Sequence, residues 1–370
     1  MSYHGNPKIV TNGLIFYYDS NNSLKSWKGK PTTNYVTNAA TMSTFSNYSY
    51  GTPVTFTTEF GTTGYRMSSL PSWNGVYSSI SLPATGTYTF SAWYRYWGGS
   101  SNNNGATCYV SGWGGGDSAA TIDKSLVGVW QRISITLTCT NTGMTLYLIS
   151  YGGTSNGSSD HSTWEVTMPQ VESGSYATPF VSGTRANTQA ILDLTNNYTL
   201  TANSLVYNSD NTFSFAGSHN IDLNSTSVIS GTDPFTIESW TNLTSGSYGA
   251  IFGNYGSGYG SGLWWATAGL YIGGSVYHSN YSSSMAGIHH SAVTRDSAGN
   301  VVLYRDGVQV ATGTLTGSIP SNINWRIGTD VNGTGEAMNG NIYNIKVYNR
   351  VLTSSEIAQN FNAHRARYGL

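Results

Sequence analysis

Charge is what this 370-residue sequence has least of: 16 basic and 17 acidic side chains make up 9% of it, where an ordinary soluble domain carries about 25%. The two signs nearly cancel to a net charge of -1 and form no basic run. Counterion release, which drives nucleic-acid binding, therefore has no source here, and attraction to anionic lipid is excluded with it. Long hydrophobic runs are missing too. No stretch approaches the roughly 18 unbroken apolar residues of a spanning helix, so no membrane insertion is expected. The opening residues Met-Ser-Tyr-His-Gly-Asn-Pro have neither a basic n-region nor an apolar h-region, so no secretory signal is expected. Cysteine is scarce: Cys108 and Cys139 are too few for a disulfide framework. Both sit in strand-like stretches, which favours buried free thiols over a disulfide or a metal site and leaves their pairing open.

In place of charge stand hydroxyls, amides, 44 Gly and 27 Tyr, with 13% aromatic residues overall. That aromatic content supplies buried area that disordered segments lack, so the chain is expected to fold. Single cores stop growing near about 250 to 300 residues, which predicts two domains. Period-two alternation predicts strands. Tyr88, Phe90, Ala92, Tyr94 and Tyr96 share one face, and Ile133, Ile135, Leu137 and Cys139 face one way against Ser134, Thr136 and Thr138. Further strands are predicted at Phe235–Trp240, Val301–Tyr304 and Ile342–Tyr348. Asp306-Gly307 has the tolerance of positive φ that a type I′ hairpin needs. Trp93, Trp130 and Trp240 fall in regular strand patterns and are expected to pack in cores. One helix stands out: Thr353-Ser-Ser-Glu356 is a capping box, and Ile357 and Phe361 follow one turn apart on one face.

Two C-terminal stretches resemble a known family. Ile288-His-His-Ser-Ala-Val-Thr-Arg-Asp296 with Val302-Leu-Tyr-Arg-Asp-Gly-Val308 is similar to the central hairpin of laminin G-like, concanavalin A-like lectin/glucanase domains. Gly340-Asn-Ile-Tyr-Asn-Ile-Lys-Val-Tyr-Asn-Arg350, with Leu352-Thr and Glu356-Ile, resembles their last strand and terminal helix. The resemblance implies a jelly-roll sandwich of two curved antiparallel sheets, with glycans or calcium as common ligands. Lys8 to Asp19 resembles the first strand of such domains as they occur in tailed-bacteriophage virion proteins. The turn that should follow within a few residues, Leu192-Asp-Leu-Thr-Asn-Asn-Tyr198, arrives only after Gln189. The first domain is therefore expected to be interrupted, with residues 1–29 and 187–370 forming one sandwich and residues 30–186 inserted at an exposed loop.

The insert has a resemblance of its own. Tyr88-Thr-Phe-Ser-Ala-Trp-Tyr94, Gly128-Val-Trp-Gln-Arg-Ile-Ser-Ile-Thr-Leu137 and Pro169-Gln-Val-Glu-Ser-Gly-Ser-Tyr-Ala-Thr-Pro-Phe180 are similar to galactose-binding-like carbohydrate-binding modules of phage tail and fibre proteins. The fold class expected is thus all-β: two antiparallel sandwich or jelly-roll domains, one inserted into the other, with a short C-terminal α-helix.

Catalysis finds little support. Glucanases on this sandwich set two Glu four residues apart on one strand with an Asp between, so that nucleophile and acid share a face. Neither Glu-x-Asp-x-Glu nor Glu-x-Asp-x-x-Glu occurs, and the only glutamates are Glu59, Glu165, Glu172, Glu238, Glu336 and Glu356. Seven residues separate Glu165 from Glu172, which in a regular strand puts them on opposite faces. Gly153-Thr-Ser155-Asn-Gly157 matches a nucleophile-elbow pattern but stands in a polar loop without the flanking strand and helix. His289-His290 are adjacent in a predicted strand and point to opposite faces, so they cannot chelate together.

Sugar rings have an apolar face and a rim of hydroxyls, which aromatic platforms beside neutral polar groups match. Loop aromatics are the candidates: Trp97, Trp113, Tyr255, Tyr259, Trp264 and Trp265. The same rings suit contacts with neighbouring subunits equally well. Structural calcium is compatible with both resembled families, yet Asp117, Asp123, Asp222, Asp233 and Asp330 are scattered and none falls in a calcium-loop pattern. No catalytic residue is assigned. The expected role is a bacteriophage virion surface protein on head, neck or tail, adhering to host or environmental glycans. Its expected partners are other virion proteins and copies of itself. The alternatives are a purely structural head-decoration or fibre protein and a polysaccharide depolymerase.

Overall fold

The computed structural model describes residues 8–48, 52–70, 73–99, 106–150, 161–210, 212–244, 250–254, 263–266, 269–272, 275–278, 287–329 and 338–370. The chain divides into two compact units, one formed by residues 1–30 with 186–370 and the other by residues 31–185. The protein is all-β, with a short C-terminal helix at Ser354–His364.

In the first unit, Leu14–Asp19 is an edge strand of a six-stranded antiparallel sheet. It continues through Gly340–Tyr348, Phe235–Leu243, Gly287–Arg295, Asn300–Arg305 and Val308–Thr314. A seven-stranded sheet contributes the other half of the apolar core. Phe16, Ile237, Val293, Ile345 and Val347 from the first sheet meet Ile221, Phe252, Leu270 and Ile327 from the second. Phe16 stacks on Phe252 with ring centroids 5.9 Å apart. The turn at Asp306-Gly307 has φ of 48° and 79°, as a type I′ hairpin demands.

Alternation leaves the reverse face of the six-stranded sheet to Thr236, Glu238, Trp240, His290, Asn344 and Lys346, all fully buried. The terminal helix covers that face. Its start is the capping box: Thr353 accepts from the Glu356 amide at 3.3 Å, and the Thr353 amide donates to the Glu356 carboxylate at 2.9 Å. Arg350 also grips Glu356, and these hydrogen bonds hold that carboxyl down to about 2. Ile357 is completely buried, worth roughly 1.5 to 3 kcal/mol, and Phe361 stacks on Trp240 at 5.6 Å. Asn360 joins helix, sheet and N-terminal segment: it donates to Glu238 at 2.8 Å and accepts from the Val10 amide at 2.7 Å. Glu238 lies 3.6 Å from Lys346 with both side chains out of solvent. Burial raises the Glu238 carboxyl to about 7 and lowers the Lys346 ammonium.

The unit of residues 31–185 is also a pair of sheets around one core. One runs in the order Trp130–Cys139, Gly86–Gly99, Ser162–Ser173, Thr63–Leu70, Val54–Thr57, and the other Ser46–Tyr48, Gly75–Ser81, Gly143–Ser150, Ala106–Ser111, Ser118–Thr121. Tyr88, Phe90, Ala92, Tyr94 and Tyr96 do face the core, with Leu137, Cys139, Trp164, Val166 and, from the second sheet, Val76, Leu146 and Leu148. Cys108 and Cys139 are both buried and free, and burial pushes the Cys108 thiol up to about 12. The segment that closes this unit is held by side chains of its own strand. Glu172 accepts from the Thr178 amide at 2.8 Å and its hydroxyl at 2.6 Å, while Gln170 accepts from the Val181 amide at 2.9 Å. Arg185 donates to the Pro179 carbonyl at 2.8 Å.

Residues 31–185 expressed alone are expected to unfold in one cooperative thermal transition. Residues 186–370 alone lack the Leu14–Asp19 strand, so Ile345 and Val347 lose cover and the fragment is expected to melt well below the intact unit in calorimetry. A second prediction concerns acid. Burial holds His290 well below its ordinary 6.5 and His364 near 3, so both are neutral when folded and gain a proton on unfolding. Their contribution is complete above pH 6.5 and is lost as pH falls toward 3. Glu238 runs the other way: its stabilisation is complete below its ordinary 4.5 and is lost as pH rises through 7. Two histidines outweigh one carboxyl, so the first unit's melting temperature should fall between pH 6.5 and 4.5. Both His290 ring nitrogens lack a partner among the described residues. His290→Phe should therefore stabilise the unit at pH 7 by about 1 kcal/mol and flatten the acid slope.

Candidate functional site

Because Tyr88 to Tyr96 point inward on the Gly86–Gly99 strand, Ser91, Trp93, Arg95 and Trp97 must point outward. Pairing sets Arg95 between Trp130 on one side and Glu165 on the other, with Arg66 beyond Glu165. Trp93 lies between Arg132 and Thr167 in the next row. The expectation that Trp93 and Trp130 pack in the core is corrected here. Both are half-buried on the outer face, because position in the alternation, not aromatic character, decides which way a strand residue points.

At the centre of this face is Glu165, fully buried yet ionically paired twice. Its carboxylate accepts from Arg66 Nε at 2.7 Å and from Arg95 Nε at 2.6 Å. Arg95 also donates to Glu59 at 3.0 Å. Its guanidinium carbon sits 4.5 Å from the Trp130 ring centroid and 5.1 Å from that of Trp97, a cation held between two indoles. Phe60, from the turn before Thr63–Leu70, approaches Trp93 at 5.9 Å and Trp130 at 5.7 Å. The Trp130 indole donates to Glu59 at 2.5 Å. A bond from its own backbone amide, helped by Trp130 and Arg95, holds the Glu59 carboxyl below its usual range.

The two guanidinium groups and two carboxylates cancel, leaving a neutral platform of rings with fixed hydrogen-bonding groups between them. Trp97 is 44% exposed and Phe60 45%. Gly128, at φ 75°, lies against the Trp97 ring and bonds to the Tyr96 carbonyl at 2.8 Å. Beside it Leu126, Val127 and Val129 are exposed.

Of the aromatic candidates in residues 31–185, Trp97 falls on this face and Trp113 does not. Trp113 is half-buried against the core of the same unit, and its indole donates to the Gly116 carbonyl at 2.8 Å. Trp264 and Trp265 lie on the strand Leu263–Ala266 rather than in a loop. Tyr255 and Tyr259 lie outside the described residues, as do Gly153–Gly157, Asp330 and Glu336. Trp93, Trp130, Phe60, Arg95, Glu59 and Glu165 escaped the loop-based reading. The signal for two of them was present, since Trp93 and Arg95, with Trp97, form the other half of the alternation that places Tyr94 and Tyr96.

Glu165 and Glu172 do not make a glycosidase pair. Glu165 and Glu172 were expected on opposite faces, and this too is corrected. A bulge between Thr167 and Gln170, with Met168 at φ 51°, shifts the alternation and turns both outward. Glu165 opposes Arg95 and Glu172 opposes Thr89, about 20 Å apart along the strand at about 3.3 Å per residue. Glycosidases need about 5 to 9.5 Å. Among the described residues, no group of three or more His, Cys, Asp or Glu is arranged to hold a metal ion, and no helix is long and apolar enough to cross a membrane.

Residues 215–358, within the first unit, match the family described as the concanavalin A-like lectin/glucanases superfamily. No curated protein matches the chain. Among solved structures the chain is similar to domain 4 of AbnA, a GH43 extracellular arabinanase from Geobacillus stearothermophilus, in complex with arabinotriose. Identity there is 16%, coverage 47% of this chain and 92% of that one, and the TM-score 0.35. It is also similar to the binding domain of Paraclostridial Mosquitocidal Protein 1, with 18% identity over 47% of this chain and 49% of that one at TM-score 0.34. The receptor binding domain of botulinum neurotoxin D gives 12% identity over 49% and 51% at TM-score 0.36. The chain spans about half the length of these two toxin domains. The family match identifies residues 215–358 as carrying a concanavalin A-like lectin fold.

Proposed function

We propose that this chain is a glycan-binding protein, and that residues 31–185 are a binding module inserted into the lectin-like domain. The observation that carries the reading is the cluster of Trp93, Trp97, Trp130 and Phe60 around the charge-cancelled Arg95–Glu165 centre. Rings present an apolar surface to the face of a sugar, and Glu59 offers an acceptor to its hydroxyls. The family match of residues 215–358 agrees with binding rather than catalysis. The resemblance of residues 8–19 and 169–180 to phage virion proteins supports a place on a bacteriophage surface, where the protein adheres to host or environmental polysaccharide. A single contact in the millimolar range is worth only about -4 kcal/mol, and display in many copies multiplies it by roughly 10² to 10⁴ where geometry allows. The second reading, a structural decoration or fibre protein, is favoured by one observation: exposed Leu126, Val127 and Val129 beside Trp97 suit contact with a neighbouring subunit.

A glycan array and a host envelope polysaccharide pull-down test the first reading, and an absence of binding by correctly folded protein would sink it. Trp97→Ala, which removes an exposed ring, should weaken binding about tenfold, or 1.4 kcal/mol, with its melting temperature little changed. Glu165→Gln should weaken binding and also destabilise residues 31–185 by about 3 kcal/mol, because Arg66 and Arg95 then lose their buried partner. Equal affinity of both variants and the parent protein would move the site away from this face.

A further inference from the structure

The opposite sheet of the 31–185 unit carries no charge at all. None of the strands Ser46–Tyr48, Gly75–Ser81, Gly143–Ser150, Ala106–Ser111 and Ser118–Thr121 contains an acidic or basic residue. Val76, Ile80, Leu146, Leu148, Cys108 and Val110 point into the core, so Tyr77, Tyr147 and Tyr109 point out. Register places these three side by side across adjacent strands, Tyr77 opposite Tyr147 and Tyr147 opposite Tyr109. Their centroids are 5.8 Å and 5.5 Å apart, with Tyr48 5.0 Å from Tyr147 and Trp73 5.7 Å from Tyr109. At the Tyr77 end the row opens into a cavity of about 380 Å³ lined by Thr37, Thr44, Ser46, Tyr77, Ser78 and Ser79. That volume lies within the range of about 300 to 1,000 Å³ of small-ligand sites.

We propose that this tyrosine row and its hydroxyl-lined cavity form a second site of residues 31–185, which binds an uncharged oligosaccharide. An anionic or cationic ligand would find no counter-charge on these strands, and a purely apolar one would leave the cavity's hydroxyls unpaired at a cost. A neutral carbohydrate satisfies both surfaces: ring faces lie along the half-buried Tyr77 and Tyr147, which Tyr109 backs, and hydroxyls exchange bonds with Thr37, Thr44, Ser46 and Ser79. The site is separate from the tryptophan platform, which lies on the other sheet, so either can exist without the other. Two sites on one module let a single copy hold two chains or two stretches of one chain.

Native mass spectrometry of the full-length protein with cellohexaose, maltohexaose and mannohexaose, and with oligogalacturonate as charged control, tests this. Ser79→Arg fills the cavity mouth from an exposed position without removing core packing, and Tyr147→Ala removes the central ring. Each variant should bind one neutral oligosaccharide fewer than the parent, or bind it at least tenfold more weakly, with oligogalacturonate ignored throughout. Ser79→Arg keeps the test valid should Tyr147→Ala lower the melting temperature. Unchanged binding by Ser79→Arg overturns the second site, as does the absence of any neutral probe on the parent protein. A change in oligomeric mass without a change in sugar binding overturns it as well and assigns the face to contact between copies. Loss on Trp97→Ala but not Ser79→Arg leaves the platform and removes the second site. Loss on Ser79→Arg but not Trp97→Ala does the reverse.

Discussion

Every long strand in a sandwich must give one face to the core, and in this protein the core takes the aliphatic and many of the aromatic side chains. The other face must then be closed with what remains, and charge is almost absent. The three exterior solutions differ accordingly. The first unit covers its six-stranded sheet with a helix and spends several of its few charges there, on Glu238, Lys346, Asp19 and Arg367. The 31–185 unit concentrates Arg66, Arg95, Arg132, Glu165 and Glu172 on one sheet and leaves none on the strands of the other.

This segregation explains how rings come to be held at a surface without collapsing. A lone exposed indole gains by folding onto its own sheet, as Trp113 does against the Gly114–Gly116 backbone. Trp97 and Trp130 instead have Arg95 between them, and Arg95 is fixed by Glu165 from below and Glu59 from above. The buried carboxylate is costly in isolation and is tolerated because two guanidinium groups reach it. Its function is positional: it orders the cation that orders the rings.

Local features of the fold were legible in the sequence. The capping box at Thr353 and Glu356, the turn at Asp306-Gly307 and the inward set Tyr88 to Tyr96 each depend on neighbours a few residues away. The sites were less so. Parity along the strand, not aromatic character, turns Trp93 and Trp130 outward, and that parity is readable from the same strand. The Thr167–Gln170 bulge carries Pro169, a residue that strands admit mainly at edges and bulges, but proline alone does not say that the parity shifts by one, and on that shift the shared face of Glu165 and Glu172 depends. Arg66 and Arg95 reach Glu165 across separations of 99 and 70 residues, and the row of Tyr77, Tyr109 and Tyr147 exists only once three strands are aligned. No spacing rule along one segment encodes such alignments.

The edge strand Leu14–Asp19 sets an order of events during synthesis. Tyr18 donates to the Ile342 carbonyl, 324 residues later in the chain. At about 5 to 20 residues per second, the ribosome takes roughly 16 to 65 s to make that partner available. Residues 31–185 emerge whole within this interval and have all of their own strands to hand. All strands of the 31–185 sandwich are therefore available while Leu14–Asp19, with Phe16 and Tyr18 uncovered, still waits for its neighbour. Chaperone demand should peak in that window, and it should be directed at Leu14–Asp19 rather than at residues 31–185.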